Sequence, residues 1–439
     1  MMEGMKQTGI RWIGEIPNNW NIKRIKYVAA LKGRIGWQGL TSEEYQDEGA
    51  FLITGVDFLN GSINWEQCEH IPIKRWEEAK DIQIQNGDLL ITKDGTIGKV
   101  AIVSNIPGET SLNSGVLRIM PMEGFSNRFL YWVLKSEEFW NWFNYKNAGN
   151  STIIHLYQGD FAEFVYAFPD YDEQEKIADF LESECDKLNS IIEITQKQID
   201  VLKLYKKSLI TEAVTKGLNK NADMRDSGIS WMGKVPLHWS IKRLKFIGRA
   251  KNGLTYNPED VAETDEGILV LRSSNIQNDK LDLEDTVYVD MQVPESLRLK
   301  RNDLLLCSRN GSRDLIGKCI LIDERTEGET YGAFMCVFRS EYNEFLHYVF
   351  LSDIFSYYLG TFLTSTVNQL TNYNLHNMMI PIPMNKDEQK RIVCYLDSEC
   401  VKIDAVIKEK NEQLKLAEKH KASLIFEYVT GKKRVKEVM

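Results

Sequence analysis

The sequence lacks the features that mark several common classes of protein. No apolar run approaches the roughly 18 residues of a membrane-spanning helix. The opening segment MMEGMKQTGI has no apolar region typical of a secretory signal. The seven cysteines are irregularly spaced and include no Cys-x-x-Cys pair, which argues against a disulfide framework or a zinc site. These absences predict a protein of the reducing cytoplasm.

Sequence motifs for catalysis are also missing. None of the ten prolines follows another, so the Asp/Asn-Pro-Pro-aromatic motif of amino-methyltransferases is absent. The nearest match to a phosphate-binding loop, at 311–318, has one residue too many and is followed by cysteine. The six histidines form no His-Glu-x-x-His pair. Three histidines beside apolar residues are interpreted as packing residues: His155, His347 and His376. We therefore predict no catalytic residue and no metal site on this chain.

Positive charge is not in excess. The chain has 54 Lys and Arg against 63 Asp and Glu, a net charge of -9, which argues against a polybasic protein that coats nucleic acid. A binder whose basic residues cluster on one face is still compatible with this balance. The 439 residues predict two or three domains at roughly 100–200 residues each.

The sequence contains an internal duplication. Residues 8–26 read TGIRWIGEIPNNWNIKRIK, and 227–245 read SGISWMGKVPLHWSIKRLK. Residues 172–185 read DEQEKIADFLESEC, and 387–400 read DEQKRIVCYLDSEC. The offsets of 219 and 215 residues far exceed the period of about 20–50 in solenoids. Because the ends of each copy match and the middles differ, we predict a shared frame carrying two different binding domains. A duplication kept only for stability is the alternative.

Each copy ends in a segment that predicts one long helix. Residues 172–215 contain no Pro or Gly, and their apolar positions alternate in steps of four and three, as in a coiled coil. We predict that the two helices pair, although each could instead fold back on its own domain. The predicted pairing positions are Leu181, Cys185, Leu188, Ile192, Ile199 and Leu202, interrupted by Thr195, and Leu396, Cys400, Ile403, Ile407, Leu414 and Ala417, interrupted by Lys410.

The rest of each copy predicts a mixed domain. Strands are expected at 50–58, 88–93 and 99–104, and again at 267–273, 303–308 and 318–323. A helix is expected at 127–143, with a counterpart at 344–359. The predicted boundaries are 1–171 and 218–386 for the two mixed domains, and 172–217 and 387–439 for the segments with the long helices.

Two matching turns carry the side chains best suited to DNA. Arginine reads guanine, asparagine reads adenine, and hydroxyl groups bind phosphates or bases. The candidates are Thr92, Lys93, Thr96 and Lys99 in the first copy, and Ser308, Arg309, Asn310, Ser312 and Arg313 in the second. Weaker candidates are Asn150, Ser151, Thr152, Asn368 and Gln369. A solvated hairpin tip explains such a turn equally well.

The Ile-Lys-Arg-x-Lys runs at 22–26 and 241–245 have two interpretations. Their basic residues could hold phosphates. They could also form the exposed face of a helix whose Ile22, Ile25 and Val28 face the core.

The order of these parts resembles the specificity subunit of type I restriction–modification enzymes. That family alternates two variable domains with two long helices that begin Asp-Glu-Gln. The signature Asp-Glu-Gln-x-x-Ile-x-x-x-Leu occurs twice here, from Asp172 to Leu181 and from Asp387 to Leu396. The openings of the domains also fit, with Trp12, Pro17 and Trp20, and with Trp231, Pro236 and Trp239. The resemblance covers essentially the whole chain.

The resemblance implies an α+β fold with two mixed α/β target recognition domains joined by two long antiparallel coiled-coil helices. Each domain would read one half of a bipartite, asymmetric DNA site, and the helices would set the gap. Two modification subunits would bring S-adenosylmethionine and flip out adenines for methylation. Restriction subunits would add ATP- and Mg²⁺-dependent activities. No cofactor is expected on this chain, and no base-reading residue carries over because the recognition domains vary.

Two other functions compete with this one. A fragment of a fused methyltransferase–nuclease would need the catalytic motifs that are missing. A structural coiled-coil tether without DNA function would show no dependence on DNA in any assembly.

Overall fold

The computed structural model describes residues 4–34, 39–148, 154–263, 266–363 and 368–435. The chain forms two compact units. The first unit comprises Met1–Thr195 with Glu412–Met439, and the second comprises Gln196–Asn411. Each unit therefore contains one mixed domain and one segment from each long helix.

Both units contain an antiparallel four-stranded sheet with the same order of strands. In the first unit the order is Val100–Ile102, Leu89–Thr92, Val116–Pro121 and Ala29–Gly33. In the second it is Cys319–Leu321, Leu304–Cys307, Met335–Arg339 and Arg249–Asn252. The repeated order confirms the duplication in three dimensions.

A mixed three-stranded sheet completes each domain. Ala50–Ile53 is parallel to Thr110–Leu112 and antiparallel to Glu69–Ile71. In the second unit, Ile268–Leu271 is parallel to Thr330–Tyr331 and antiparallel to Tyr288–Val289. Short hairpins supply eight further strands, which are Met5–Gln7, Glu15–Pro17, Phe58–Leu59, Ser62–Ile63, Met224–Asp226, Lys234–Pro236, Ile276–Gln277 and Lys280–Leu281. The predicted strands at 50–58, 88–93, 99–104, 267–273, 303–308 and 318–323 are thus confirmed with shorter bounds.

The Ile-Lys-Arg-x-Lys runs do not form the suggested helix, because each is a strand followed by a short 3-10 turn, at Ile25–Tyr27 and at Leu244–Phe246. Asn21–Arg24 is a strand antiparallel to Val165–Phe168, and Ser240–Arg243 is antiparallel to Met379–Ile382. Ile25 and Val28 are buried as expected, but Ile22 is exposed because it lies on the strand.

The single helix predicted over 127–143 is two helices, Asn127–Lys135 and Glu137–Lys146. Ser136 separates them with extended backbone angles, and its hydroxyl donates to the carbonyl of Val133 at 2.7 Å. Ser352 breaks the counterpart in the same way. The remaining short helices, apart from 3-10 turns, are Ile73–Glu77, Gln158–Ala162, Asn343–Leu351, Asp353–Phe362 and Asn372–Asn377.

The two long helices, Tyr171–Lys216 and Lys386–Val429, confirm the predicted long helices; we call them stem helix 1 and stem helix 2. Their segments run antiparallel within each unit. In the first unit, Phe180 contacts Tyr428, and Asn189 accepts a hydrogen bond from Lys421 at 2.5 Å. In the second, the backbone of Gly217 lies beside Glu388, and Lys206 pairs with Asp404 at 2.7 Å.

The predicted seam is the shielded side of both stem helices. All of its positions are buried or half-buried, including the interrupting Thr195 and Lys410. These positions are Leu181, Cys185, Leu188, Ile192, Ile199, Leu202, Leu396, Cys400, Ile403, Ile407, Leu414 and Ala417. Which of these residues meet one another remains a prediction.

Each copy of the Asp-Glu-Gln signature anchors its stem helix to the N-terminal segment of the same recognition domain. The indole N–H of Trp20 donates to Glu173 at 3.3 Å, and that of Trp239 donates to Glu388 at 3.0 Å. The next residue, Gln174 or Gln389, donates from its buried amide to a proline carbonyl. Because the same contacts recur in both units, the signature is explained by packing and hydrogen bonding.

Candidate nucleic-acid interface

The predicted binding turn of the first domain is a hairpin loop at 93–99. Thr92 is buried, and its hydroxyl accepts a hydrogen bond from the Lys99 amide at 2.9 Å and donates to the Thr96 carbonyl. The ammonium group of Lys99 donates to the carbonyl of Gly55 at 3.1 Å. These two side chains therefore support the loop.

The tip of this loop is exposed, and a neighbouring segment of the chain contacts it. Thr96 is exposed and Lys93 is half-buried. The carboxylate of Asp94 lies 2.6 Å from Nδ1 of His155, and the Leu156 amide donates to the Lys93 carbonyl at 3.0 Å. The loop thus joins the segment after 153, although the candidates Asn150, Ser151 and Thr152 lie outside the described residues.

The second domain presents the matching loop at 308–317. Ser308 is buried and its hydroxyl donates to the Phe334 carbonyl at 2.9 Å, so it supports the loop as Thr92 does. The guanidinium of the exposed Arg309 lies over the Phe334 ring at 5.3 Å from its centroid. Ser312 and Arg313 are exposed at the tip.

The structure brings this second loop together with the other predicted segment. The amide of Asn368 donates to the Gly311 carbonyl at 3.3 Å, and Gln369 forms a β-bridge with Arg309. Asn310 donates to Ser273 at 3.1 Å. Six of the seven candidates in the second copy therefore have part or all of their surface exposed on this loop and the segment beside it: Arg309, Asn310, Ser312, Arg313, Asn368 and Gln369.

The two loops have the same frame and different chemistry. Leu370 donates to the carbonyl of Ser308 at 2.7 Å, as Leu156 does to that of Lys93. The first loop presents an aspartate paired with a histidine, whereas the second presents two arginines. Arginine is well suited to base edges and phosphates, so the two loops can bind different DNA sequences.

Outside these loops, the histidines have separate roles. Nε2 of His376 accepts a hydrogen bond from the Ala250 amide at 2.9 Å. Burial, with the nearby charge of Lys206, lowers the pKa of His347 to about 4.

Within the described ranges, no group of three or more His, Cys, Asp or Glu side chains could hold a metal ion. None of the helices described is both long and apolar enough to cross a membrane.

Comparison with known proteins identifies the family. The profile of the type I restriction modification DNA specificity domain matches residues 17–204 and 236–416, which make up more than half of the chain. The chain belongs to this family. The two matched segments correspond to the two halves of the duplication, so this type I specificity subunit has two target recognition domains.

Other members of the specificity-subunit family are similar over long stretches. The specificity subunit of the type I restriction enzyme MjaVIII from Methanocaldococcus jannaschii is 25% identical over 443 residues, covering 96% of this chain and 95% of that protein. The EcoKI specificity subunit from Escherichia coli is 26% identical over 321 residues, covering 70% of this chain and 65% of that protein.

The fold also matches a solved chain from a study of complex assembly and conformational transition of the type I R-M system. The TM-score is 0.69 at 16% identity, over 94% of this chain and 98% of that chain. This likeness supports the α+β architecture.

The structure exposes basic residues on strands that no sequence motif marks. Arg249 and Lys251 are exposed on the second four-stranded sheet, yet they belong to no motif. The sequence feature that could have revealed them is the absence of nearby acidic residues, because 227–258 contains no Asp or Glu.

Proposed function

We propose that this chain is the DNA-recognition and scaffold subunit of a type I restriction–modification complex, and that it performs no catalysis itself. The two recognition domains bind the two halves of a bipartite, asymmetric site. The observation that carries this proposal is the pair of equivalent loops, which share a frame but present different side chains. A domain kept only as a tether would have no need of two distinct polar loops.

The stem helices supply docking sites for the partner subunits in this proposal. Several apolar side chains on their outer faces are more than half exposed: Ile191, Ile194, Val201, Leu204, Tyr205, Val401 and Leu416. Soluble proteins rarely leave so many large apolar side chains in water without a partner. We assign this surface to two modification subunits, to which restriction subunits are added.

The cofactors of the reaction belong to those partners. S-adenosylmethionine would be held by the modification subunits, and ATP with Mg²⁺ by the restriction subunits, in the cytoplasm. This chain contributes orientation: it fixes where on the DNA the partners act. Target adenines would be flipped out into the modification subunits.

The proposal is tested by binding measurements on the assembled complex. The chain is co-expressed with its modification subunits, and the motif that they methylate is determined by sequencing modified bases. A duplex that contains the motif should bind more tightly than one in which either half is scrambled. Equal affinity for all three duplexes would refute sequence recognition by this chain.

A further inference from the structure

Two segments without acidic residues meet on one face of the second recognition domain. Residues 227–258 and 354–386 contain no Asp or Glu, although the chain has 63 acidic residues in 439. They meet where Ser240–Arg243 pairs with Met379–Ile382 and where Asn372–Asn377 packs against Arg249–Asn252. Their contact creates a surface on which positive charge is not offset locally.

Four exposed basic residues lie along this surface: Arg243, Lys245, Arg249 and Lys251. Their contacts are with neutral groups. Arg243 lies 3.5 Å from the amide oxygen of Asn377, and Lys251 donates to the Ser296 hydroxyl at 2.6 Å. Among the described residues, none of the four forms an ion pair with a carboxylate. We call these four residues the basic face.

The first recognition domain has basic residues at three of the four equivalent positions, Arg24, Lys26 and Lys32, and neutralises them. Glu163 pairs with Arg24 at 3.3 Å and with Lys26 at 2.5 Å. Lys32, the equivalent of Lys251, pairs with Asp81 at 3.2 Å. Asn377 occupies the place of Glu163 in the second domain, since both precede the equivalent strand by two residues. Two carboxylates, Glu163 and Asp81, therefore neutralise the first surface, and Ala30 stands there in the place of Arg249.

Aromatic side chains and the recognition loop adjoin the basic face. Phe246 is 72% exposed beneath the ammonium group of Lys245, and Tyr373 is 76% exposed. The helix that carries Tyr373 begins three residues after Gln369, which forms a β-bridge with Arg309 of the loop at 308–317. Exposed cations next to a base-reading loop are arranged as phosphate contacts that fix the register of a protein on DNA.

We propose that the basic face binds backbone phosphates of DNA, and that the first domain has no equivalent because Glu163 and Asp81 neutralise the corresponding residues there. The inference rests on the proposed function and extends it: the second domain supplies the larger share of the sequence-independent affinity. An acidic protein surface is the competing partner. DNA is favoured because the face is continuous with the loop that carries Arg309.

The test exchanges Asn377 and Glu163, which occupy equivalent places in the two domains. The full chain with Asn377→Glu, the chain with Glu163→Asn and the unaltered chain are titrated with a fluorescent duplex of random sequence over a range of salt concentrations. Asn377→Glu should weaken binding roughly five- to tenfold per lost phosphate contact at about 0.1 M salt, and lower the salt slope by about one for each. Glu163→Asn should tighten binding and raise the slope.

Two further variants test whether the change in affinity depends on the charge of the basic face. Arg249→Gln should reproduce the loss, because it removes a charge from the basic face. Arg301→Gln, an exposed arginine outside the face in the same domain, should change neither affinity nor slope by a comparable amount. The gain from Glu163→Asn excludes misfolding as the cause of the pattern.

The outcomes separate the two proposals. If the unaltered chain binds DNA but Asn377→Glu and Arg249→Gln bind it equally well, the basic face is not a phosphate site and the proposed function stands. If these variants instead weaken assembly with the modification subunits and leave DNA binding intact, the partner is a protein and the inference is overturned. If the unaltered chain binds no DNA even in the assembled complex, both proposals fall.

Discussion

Arg309 and Arg313 leave the same loop of the second recognition domain, but their surroundings differ. The guanidinium of Arg309 lies over the ring of Phe334, and its backbone is bridged to that of Gln369, whereas Arg313 is exposed at the start of a short 3-10 turn. A side chain held in place loses less entropy on binding and is better suited to reading a base. We therefore assign base reading to Arg309 and phosphate binding to Arg313.

This assignment predicts different effects for the two alanine variants. Arg309→Ala should cost roughly 1–3 kcal/mol of binding free energy and relax one position of the site. Arg313→Ala should weaken all sequences equally and lower the salt slope by about one. Affinities of the assembled complex for a panel of single-base variants distinguish the two. Equal relaxation of specificity by both variants would contradict the assignment.

His347 gives the second domain a predicted dependence on pH. Its pKa is lowered to about 4, mainly by burial and also by the charge of Lys206. The unfolded chain, in which histidine has its ordinary pKa of about 6.5, binds more protons below that pH. Stability should therefore be full above pH 6.5 and fall by up to about 3 kcal/mol as the pH drops to 4.

The matched variant for this prediction is His347→Gln, which cannot gain the proton. Thermal unfolding of the second unit between pH 7 and about pH 4.5 is compared with and without the substitution. We expect the unaltered chain to lose more stability across this range than the variant does. If both proteins lose the same stability as the pH falls, His347 does not titrate in the way that its burial predicts.

At the scale of secondary structure, sequence periodicity was most reliable where it extended furthest. The long helices follow from the absence of Pro and Gly and from a regular apolar seam, and each begins and ends close to the predicted bounds. The break at Ser136 was missed because serine is tolerated within helices, and only the extended angles at that residue separate the two helices. A single serine is a weaker sequence signal than the repeating apolar pattern of a helix.

The candidate site was predictable only in part, for a related reason. The loops at 93–99 and 308–317 were found because polar residues interrupt strong strands. Burial of Thr92 and Ser308 could not be read from the sequence, since a hydroxyl serves equally well as loop support or as a ligand contact. The basic face required knowledge of which distant segments pair, namely Ser240–Arg243 with Met379–Ile382.

The seam of the stem helices yields a prediction with an internal control. Ile199 is 1% exposed and Ile194, on the same helix, is 55% exposed. Ile199→Asp would bury an unpaired charge and should cost several kcal/mol, roughly 3–5. Ile194→Asp should change stability by less than about 0.5 kcal/mol.

Thermal unfolding followed by circular dichroism measures both variants. If the stem docks partners through its outer face, Ile194→Asp should also reduce assembly with the modification subunits although the chain remains folded. Similar melting temperatures for Ile199→Asp and the unaltered chain would contradict the buried seam.

At the scale of the whole molecule, each unit depends on both long helices. Gly431, at the end of stem helix 2, has a φ of 69° and its backbone lies against Pro17 and Trp20. Gly217, at the end of stem helix 1, has a φ of 71° and lies against Trp239. The two helix ends are therefore equivalent, and each packs against the N-terminal segment of a recognition domain.

This equivalence predicts the behaviour of a half-length chain, residues 1–217. It lacks the helix end that packs on Trp20, but a second copy can supply the equivalent end at Gly217. We expect a two-fold dimer, which with modification subunits methylates an interrupted palindrome. Light scattering gives the oligomeric state and sequencing of modified bases gives the motif. A folded monomer, or an asymmetric motif, would contradict the equivalence.

The central claim is that each recognition domain reads one half of a bipartite site. The most direct test is to sequence modified bases in cells that express the complex with either the unaltered chain or the Arg309→Ala, Arg313→Ala double variant. The account predicts an asymmetric, interrupted motif for the unaltered chain, and for the variant the same motif degenerate in one half only. Degeneracy in both halves, or methylation without any interrupted motif, would contradict it.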